Sequence, residues 1–298
     1  MLDKNIIKKV KDFKNKYDDK KIKDMVKKPK FPFIGDEILN EALASLLAEK
    51  NLLLVGDKST GKNILAENLA YYFKRPLFNV SFHVNIDAYS LLGSDSLKDG
   101  SVYFKKGPLY EVGRLGGFAV LDEINMAKNE AISVLHQILD YRREISIPSY
   151  KSLKLHPTTR FIATMNYDYE GTRDLNQALL SRFVVIKMPV IKRNDLKKLI
   201  KYSYKNMKNE YIDQFIKFFY DLKEKSDHGE IITTSPDLRS LFDSFDLILQ
   251  NLSVRDSLKL SFVNKSFDDF ERNIIGDLIR SRFREKTFLE DVFINEWF

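Results

Sequence analysis

Residues Leu52–Asn63, LLLVGDKSTGKN, constrain the fold more tightly than any other stretch. Leu52–Val55 is an apolar run of strand length that leads directly into Gly56. Gly56-Asp57-Lys58-Ser59-Thr60-Gly61-Lys62 then follows the GxxxxGK phosphate-loop pattern, and the residues from Asn63 and Ile64 to Ala70 continue with helical character. With no Cβ at Gly56 or Gly61, the backbone can turn its N–H groups inward around a polyphosphate. The helix that starts near Lys62 adds the positive end of its dipole, and the lysine ammonium supplies a charge for the outer phosphates. One position departs from the pattern. Asn63 stands where a Ser or Thr hydroxyl would hold magnesium.

A second stretch raises the specificity. Phe118–Leu121 is another buried-strand pattern, and it ends in Asp122-Glu123, sixty residues downstream of Lys62. Magnesium-dependent phosphoryl transfer needs one carboxylate for the metal and one for water. Asp122 fits the first role and Glu123 the second, orienting and deprotonating the attacking water. An Asp-Glu pair after a strand can also simply begin a turn; its place beside a phosphate loop favours the chemical reading. Arg160–Met165 is a further strand, ending at Asn166. Ligands bind at the carboxyl edge of open α/β sheets, so Asn166 either polarises the attacking water or caps a turn.

Strands Leu52–Val55, Pro76–Val80, Phe118–Leu121, Arg160–Met165 and Val184–Met188 alternate with helical patterns. This predicts an α/β fold, a parallel sheet covered on both faces in a three-layer αβα sandwich. Helical patterns are read at Asp36–Lys50 and Ala127–Tyr141, with a hairpin of Glu144–Ile147 and Ser152–Leu155 between the latter and the Arg160 strand. Residues 85–113 read as irregular, with a hairpin at Asp99-Gly100. From about Ile191 the strands stop. Asp195–Met207, Glu210–Lys225, Pro236–Leu252 and Phe267–Arg284 form a small all-helical domain. The expected organisation is an N-terminal arm at 1–30, a core at 31–190 and a helical lid at 191–298.

Composition excludes several classes. With 31% charged residues and no apolar run near the roughly 18 residues of a membrane helix, no membrane span is expected. The start lacks an apolar core and a small-residue cleavage site, so no secretory signal is expected in it. There is no cysteine, hence no disulfide framework and no thiolate chemistry, which fits a cytoplasmic location. The net charge of +7 is equalled by residues 1–30 alone, with 12 lysines and 5 aspartates, so the rest of the chain is balanced. Ile6, Ile7, Val10, Phe13 and Tyr17 recur at helical spacing among those lysines, and one or two amphipathic helices are expected over residues 3–27. Such a helix either packs on the main domain or meets a membrane surface or nucleic acid. His83, His136, His156 and His228 lack metal-ligand spacing, and Phe215, Phe218, Phe219 and Tyr220 read as core rather than as a base-stacking platform.

Gly56–Lys62, Asp122-Glu123, Asn166, Gly171-Thr172-Arg173-Asp174-Leu175-Asn176 and Ser181-Arg182-Phe183 together resemble the AAA+ ATPases. More narrowly, with Leu91-Leu92-Gly93, Lys106-Gly107-Pro108-Leu109-Tyr110 and Leu121-Asp122-Glu123-Ile124-Asn125, they resemble the dynein-related type, and within it the MoxR group with its CbbQ, NirQ, NorQ and gas-vesicle GvpN-like relatives. The likeness spans residues 33–190 and, less closely, the lid; the arm lies outside it. It implies that Gly56–Lys62 with Asn63 and Ile64 binds ATP, that Asp122 and Asn63 face Mg2+, and that Asn166 is the sensor asparagine. It also implies that Arg182 is an arginine finger acting on ATP held by the neighbouring subunit; the alternative is a surface arginine capping a helix. Arg173 is a second interface candidate, and Arg239, in the capped helix start Ser235-Pro236-Asp237-Leu238-Arg239, is the candidate lid arginine that senses the γ-phosphate.

The implied function is an ATP-hydrolysing ring, a homo-hexamer, that remodels or activates a client protein with a partner carrying a von Willebrand factor A domain. The segment near 87–110 would project toward a central pore and the hairpin at 144–155 would precede the sensor strand. Two other classes stay open: a nucleic-acid-associated motor subunit, supported only by the lysine arm, and a nucleotide-binding scaffold with little turnover, supported by Asn63.

Overall fold

The computed structural model describes residues 2–83, 85–147, 150–166, 175–232 and 237–294. The chain divides into two compact units, one ending at Pro189 and the other beginning at Val190, residues 58–60 being grouped with the second.

The first unit opens with α1 (Lys4–Lys16), capped by Asp3, whose carboxylate accepts the amides of Asn5 at 2.7 Å and Ile6 at 3.1 Å. Val10 on α1 is only 2% exposed, and Phe13 meets Phe73 edge-on with centroids 5.0 Å apart. The arm therefore packs on the core through its apolar face and leaves its lysines outside. After a 3-10 turn at Lys20–Met25, α2 (Asp36–Leu47) buries Leu39, Ala42, Leu43 and Leu46 and delivers the chain to β1 (Asn51–Val55). Then come α3 (Lys62–Tyr72), β2 (Leu77–Ser81), α4 (Ala88–Leu92), β3 (Gly93–Lys98), β4 (Ser101–Lys106), α5 (Pro108–Leu115) and β5 (Phe118–Asp122). They are followed by α6 (Asn129–Ile138), β6 (Glu144–Ile145), β7 (Leu153–Lys154), β8 (Arg160–Met165), α7 (Gln177–Leu180) and β9 (Phe183–Lys187).

The main sheet has the order β2-β5-β8-β1-β9, and its pairings are parallel. Successive side chains of a strand point to opposite faces. Leu53, Val55, Ala119, Leu121 and Phe161 accordingly join one core, with residues of α4, α5 and α6. Leu52, Leu54, Phe118, Val120 and Ile162 join another, with residues of α1, α2 and α3. Helices cover both faces, as the alternating pattern requires, and the three-layer α/β fold is what the strand order builds.

Two expectations need correction here. Residues 85–113 are not irregular: α4, a β3–β4 hairpin and α5 fill them. The hairpin turns at Asp99 (φ 51°) and Gly100 (φ 76°), the two-residue left-handed turn that a DG pair favours. Helix α5 carries Pro108 in its first turn and ends at Gly116 (φ 72°), a proline-start, glycine-stop signature in plain sight. The helix expected over Ala127–Tyr141 is shorter, because a 3-10 turn at Ile124–Met126 precedes it and the chain turns after Leu139. The turn of the 144–155 hairpin includes residues 148–149, which lie outside the described ones.

The second unit holds α8 (Arg193–Ser203), α9 (Asn209–Asp227), α10 (Leu238–Leu249), α11 (Val254–Ser261), α12 (Asp269–Arg282) and α13 (Leu289–Val292). Helix α11 is absent from the sequence-based expectation. It is short, and it is announced by Ser253, whose hydroxyl accepts the amide of Asp256 at 3.1 Å. Phe215, Phe218 and Phe219 of α9 are 0%, 0% and 2% exposed, so they are core and offer no stacking surface. Among the described residues no helix is long and apolar enough to cross a membrane.

Candidate functional site

Parallel pairing places three strand ends side by side. Val55 of β1 is level with Met165 of β8, and Leu121 of β5 is level with Ala163 of β8. Gly56, Asn166 and Asp122-Glu123 therefore leave the carboxyl edge of three adjacent strands, spaced by about 4.8 Å each. The strand order thus assembles the candidates, which are far apart in sequence.

The loop from Gly56 to Lys62 is shaped by two left-handed residues, Ser59 (φ 61°) and Gly61 (φ 85°). Gly61 is also the N-cap of α3 and makes no side-chain cap, so the first turn of α3 keeps its N–H groups for an external acceptor. Gly56 is fastened below by its amide to the Met165 carbonyl at 3.3 Å. Lys62 is only 8% exposed, and its ammonium donates to the carbonyls of Gly56 at 2.8 Å and Asp57 at 2.7 Å. Burial pushes the lysine down to about 8, against the charges of Asp57, Asp122 and Glu123, which pull the other way. A buried ammonium whose named partners are two carbonyls, at a helix N-terminus, fits a polyphosphate.

Asp122 and Glu123 occupy different environments. Asp122 is half-buried; its Oδ2 accepts the Asn63 side-chain amide at 3.1 Å and its Oδ1 accepts the Thr164 hydroxyl. Glu123 is exposed and holds φ 55° and ψ 47°, a left-handed backbone uncommon for a residue with a Cβ. Its amide donates to Thr164 Oγ1 at 3.2 Å, which helps hold that conformation. Thr164 is a site residue that sequence reasoning missed. Its signal was a hydroxyl in the otherwise apolar run Phe161-Ile162-Ala163, two positions before Asn166. Oxygen donors from Asp122 and the Asn63 carboxamide are of the hard type that magnesium takes.

Arg182 lies elsewhere. It precedes β9, whose Phe183 pairs with Asn51 at the start of β1, so it sits at the amino edge of the sheet. The length of β1, about 13 Å, separates that edge from the chain's own loop. There Arg182 donates to the Ala178 carbonyl, pairs with Asp140 at 4.0 Å, and keeps a buried Nε without a partner. Arg239 is exposed in the first turn of α10, which Asp237 caps by accepting the Ser240 amide at 2.8 Å. Arg173, and with it Gly171, Thr172 and Asp174, lies outside the described residues, as do Ser235 and Pro236. Among the described residues no group of three or more His, Cys, Asp and Glu is placed to hold a metal ion.

Residues 51–183 match the family model of the AAA domain, dynein-related subfamily. The uncharacterized protein SH1500 of Staphylococcus haemolyticus is 35% identical over 254 residues, covering 83% of this chain and 96% of its own length. A Staphylococcus aureus protein, also uncharacterized, is 35% identical over 252 residues, 83% of this chain and 95% of its own. In fold, the chain is similar to a Cytophaga hutchinsonii protein assigned provisionally as an ATPase, with TM-score 0.50, 16% identity, and 92% and 88% of the two chains covered. It is also similar to a point mutant of RuvB from Thermotoga maritima, with TM-score 0.51, 18% identity, and 84% and 78% covered. A strand-ordered phosphate loop, an Asp-Glu strand end and a matching family model over both lead to one assignment: residues 51–183 of this chain are an AAA domain of the dynein-related subfamily.

Proposed function

We propose that this protein binds ATP with Mg2+ in the Gly56–Lys62 loop, with Asn63 and Ile64, hydrolyses it as a cytoplasmic homo-oligomeric ring, and uses the cycle to remodel a client protein. The observation that carries the reading is the convergence of Gly56, Asp122-Glu123 and Asn166 at one sheet edge while Arg182 stands at the opposite one.

In this reading Lys62 and the first-turn amides of α3 hold the β- and γ-phosphates. Asp122 and Asn63 would hold the magnesium, which supplies charge neutralisation of the phosphate oxygens. Glu123 takes the proton of the attacking water, and Asn166 fixes that water by hydrogen bonding. Arg182 lies too far from its own loop to act there, so its guanidinium serves a neighbouring subunit's phosphates in a ring of six. Each site is then completed by the next subunit, which links nucleotide state to ring geometry. Arg239 is the proposed lid contact to the γ-phosphate. A partner with a von Willebrand factor A domain belongs to the same proposal and rests on family resemblance.

The test is steady-state ATPase activity at several protein concentrations, for wild type and Arg182→Ala. Activity per subunit that rises with concentration and is lost in the variant supports shared sites. Equal activity per subunit at all concentrations, kept in the variant, would overturn them. A second reading, a nucleotide-binding switch without turnover, is favoured by the Asn63 amide on Asp122; ATP binding with no hydrolysis at any concentration would establish it.

A further inference from the structure

Thr164 is 1% exposed on β8, between Leu54 of β1, with which it is level, and the end of β5. A threonine hydroxyl has one proton and two lone pairs. Here the Glu123 amide donates to Oγ1 at 3.2 Å, and the hydroxyl proton is given to Asp122 Oδ1. The result is a directed chain, from the Glu123 backbone through the Thr164 hydroxyl to the Asp122 carboxylate. The other carboxylate oxygen is held by Asn63, which is exposed at the start of α3 and free to turn its carboxamide away. An arriving cation can displace Asn63; it leaves Thr164, buried between strands, in place.

We propose that Thr164 is a positioning residue that fixes the rotamer of Asp122 for the divalent cation and, through the same hydroxyl, the left-handed backbone that aims Glu123. This rests on the reading of the site as a magnesium-dependent ATPase and adds to it a residue that touches neither metal nor nucleotide. A cation on Asp122 draws charge from the carboxylate and weakens it as an acceptor of the Thr164 hydroxyl, whose oxygen in turn accepts the Glu123 amide, so metal occupancy and the setting of Glu123 are linked through one oxygen.

The experiment uses the full chain with Thr164→Val, which keeps shape and loses the hydroxyl, and Thr164→Ser, which keeps the hydroxyl and loses a methyl. Three readouts are taken: amide hydrogen exchange at Glu123 without ligand, Mn2+ affinity beside a non-hydrolysable ATP analogue, and kcat and KM for ATP. Outer partners of metal-site carboxylates are worth about 10- to 100-fold in affinity or activity. The expected result for Thr164→Val is faster exchange at Glu123, Mn2+ binding weakened by about tenfold or more and a matching fall in kcat, with KM for ATP nearly unchanged. Thr164→Ser should restore all three to within about threefold of wild type, short of that tenfold effect. Unchanged exchange and Mn2+ affinity in Thr164→Val would overturn the proposal. So would Thr164→Ser being as impaired as Thr164→Val, which would assign the effect to packing of the methyl. If the wild type binds nucleotide without hydrolysing it, the ATPase reading fails, and the exchange and Mn2+ measurements still decide for or against Thr164.

Discussion

Asn63 donates its side-chain amide to Asp122, Nδ2 to Oδ2 at 3.1 Å, across the mouth of the phosphate loop. In the family pattern this position carries a hydroxyl that would face the metal. An asparagine must first give up its bond to Asp122 and then present its carbonyl, a neutral ligand on a longer arm. Replacing it with threonine removes the competing donor. Asn63→Thr is therefore expected to raise the ATPase rate and lower the magnesium concentration for half-maximal activity, each by about threefold or more, since one net hydrogen bond of about 1 kcal/mol no longer has to be broken. Steady-state rates across a magnesium titration check it; a rate that is unchanged or falls would show that Asn63 is the better ligand here.

Lys62 gives a pH prediction with a definite sign. Its ammonium is held down to about 8 in the folded chain, chiefly by burial, whereas a free lysine keeps its proton to about 10.5. Between those values the unfolded chain binds more protons than the folded one, so Lys62 makes stability rise with pH across that window. Phosphate binding needs the charged form. Nucleotide affinity is expected to fall as pH rises above about 8, and binding near pH 8.5 should take up a fraction of a proton from buffer. Calorimetry in buffers of different ionisation enthalpy measures that uptake. Lys62→Met should abolish it; a wild-type affinity flat to pH 9.5 would contradict the assignment.

Much of this site could be read in the chain because its parts are strand ends. Arg160–Met165 carries the β8 residues as expected, and the apolar runs before Gly56 and Asp122 point to parallel strands of one sheet, which β8 separates. What could not be read was lateral. Nothing in the sequence says that Asn63 turns toward Asp122, or that Thr164 serves two partners, Asp122 at the end of β5 and Glu123 just after it, since those bonds depend on register between strands distant in sequence. The buried arginines were equally hidden. Arg160 is 2% exposed, with its Nε on the Leu46 carbonyl at 2.8 Å, and Arg75 donates to the Tyr17 carbonyl under the arm. A sequence reader would have left both on the surface.

The base of the β3–β4 hairpin turns on two glycines. Gly93 sits at φ 122°, and Gly107 donates its amide to the Leu92 carbonyl at 2.9 Å. A Cβ on Gly107 would stand 2.5 Å from the Leu91 carbonyl oxygen and 2.6 Å from the Gly93 amide, both backbone atoms with no side chain to yield. Tyr150, from the segment between β6 and β7, bonds Asp95 and packs its ring at a tilt against Phe104, centroids 4.7 Å apart, joining the two hairpins. Gly107→Ala is expected to cost more than about 2 kcal/mol in urea unfolding and to raise hydrogen exchange over 93–106, through backbone clash. Tyr150→Phe removes only the bond to Asp95. It should stay within about 1 kcal/mol of wild type while loosening exchange in β3, and a loss as large as that of Gly107→Ala would show that the tyrosine, not the glycine pair, anchors the hairpin.

The lysine-rich arm separates two kinds of residue on one helix. Val10 is 2% exposed against the core that also contains Leu39, Leu43 and Phe73, whereas Lys8 and Lys11 beside it are exposed. If the arm were a tail held ready for nucleic acid, stability would be indifferent to both. The packing argues otherwise. Val10→Ala removes two buried carbons and leaves a void, for about 1.5–3 kcal/mol, while Lys8→Glu with Lys11→Glu changes stability by no more than about 0.5 kcal/mol per site. Arm docking is further fastened by the Asp3 amide on Asn40 at 3.0 Å and by Arg75 on the Tyr17 carbonyl. Urea unfolding should show one cooperative transition for wild type, shifted to lower midpoint in Val10→Ala and unmoved in the double charge reversal. The same double variant, titrated with duplex DNA at two salt concentrations, tests the lysine face by itself. Binding by wild type that the reversal abolishes would give the face a partner of that chemistry, and no binding by either would leave the arm as part of the core's cover.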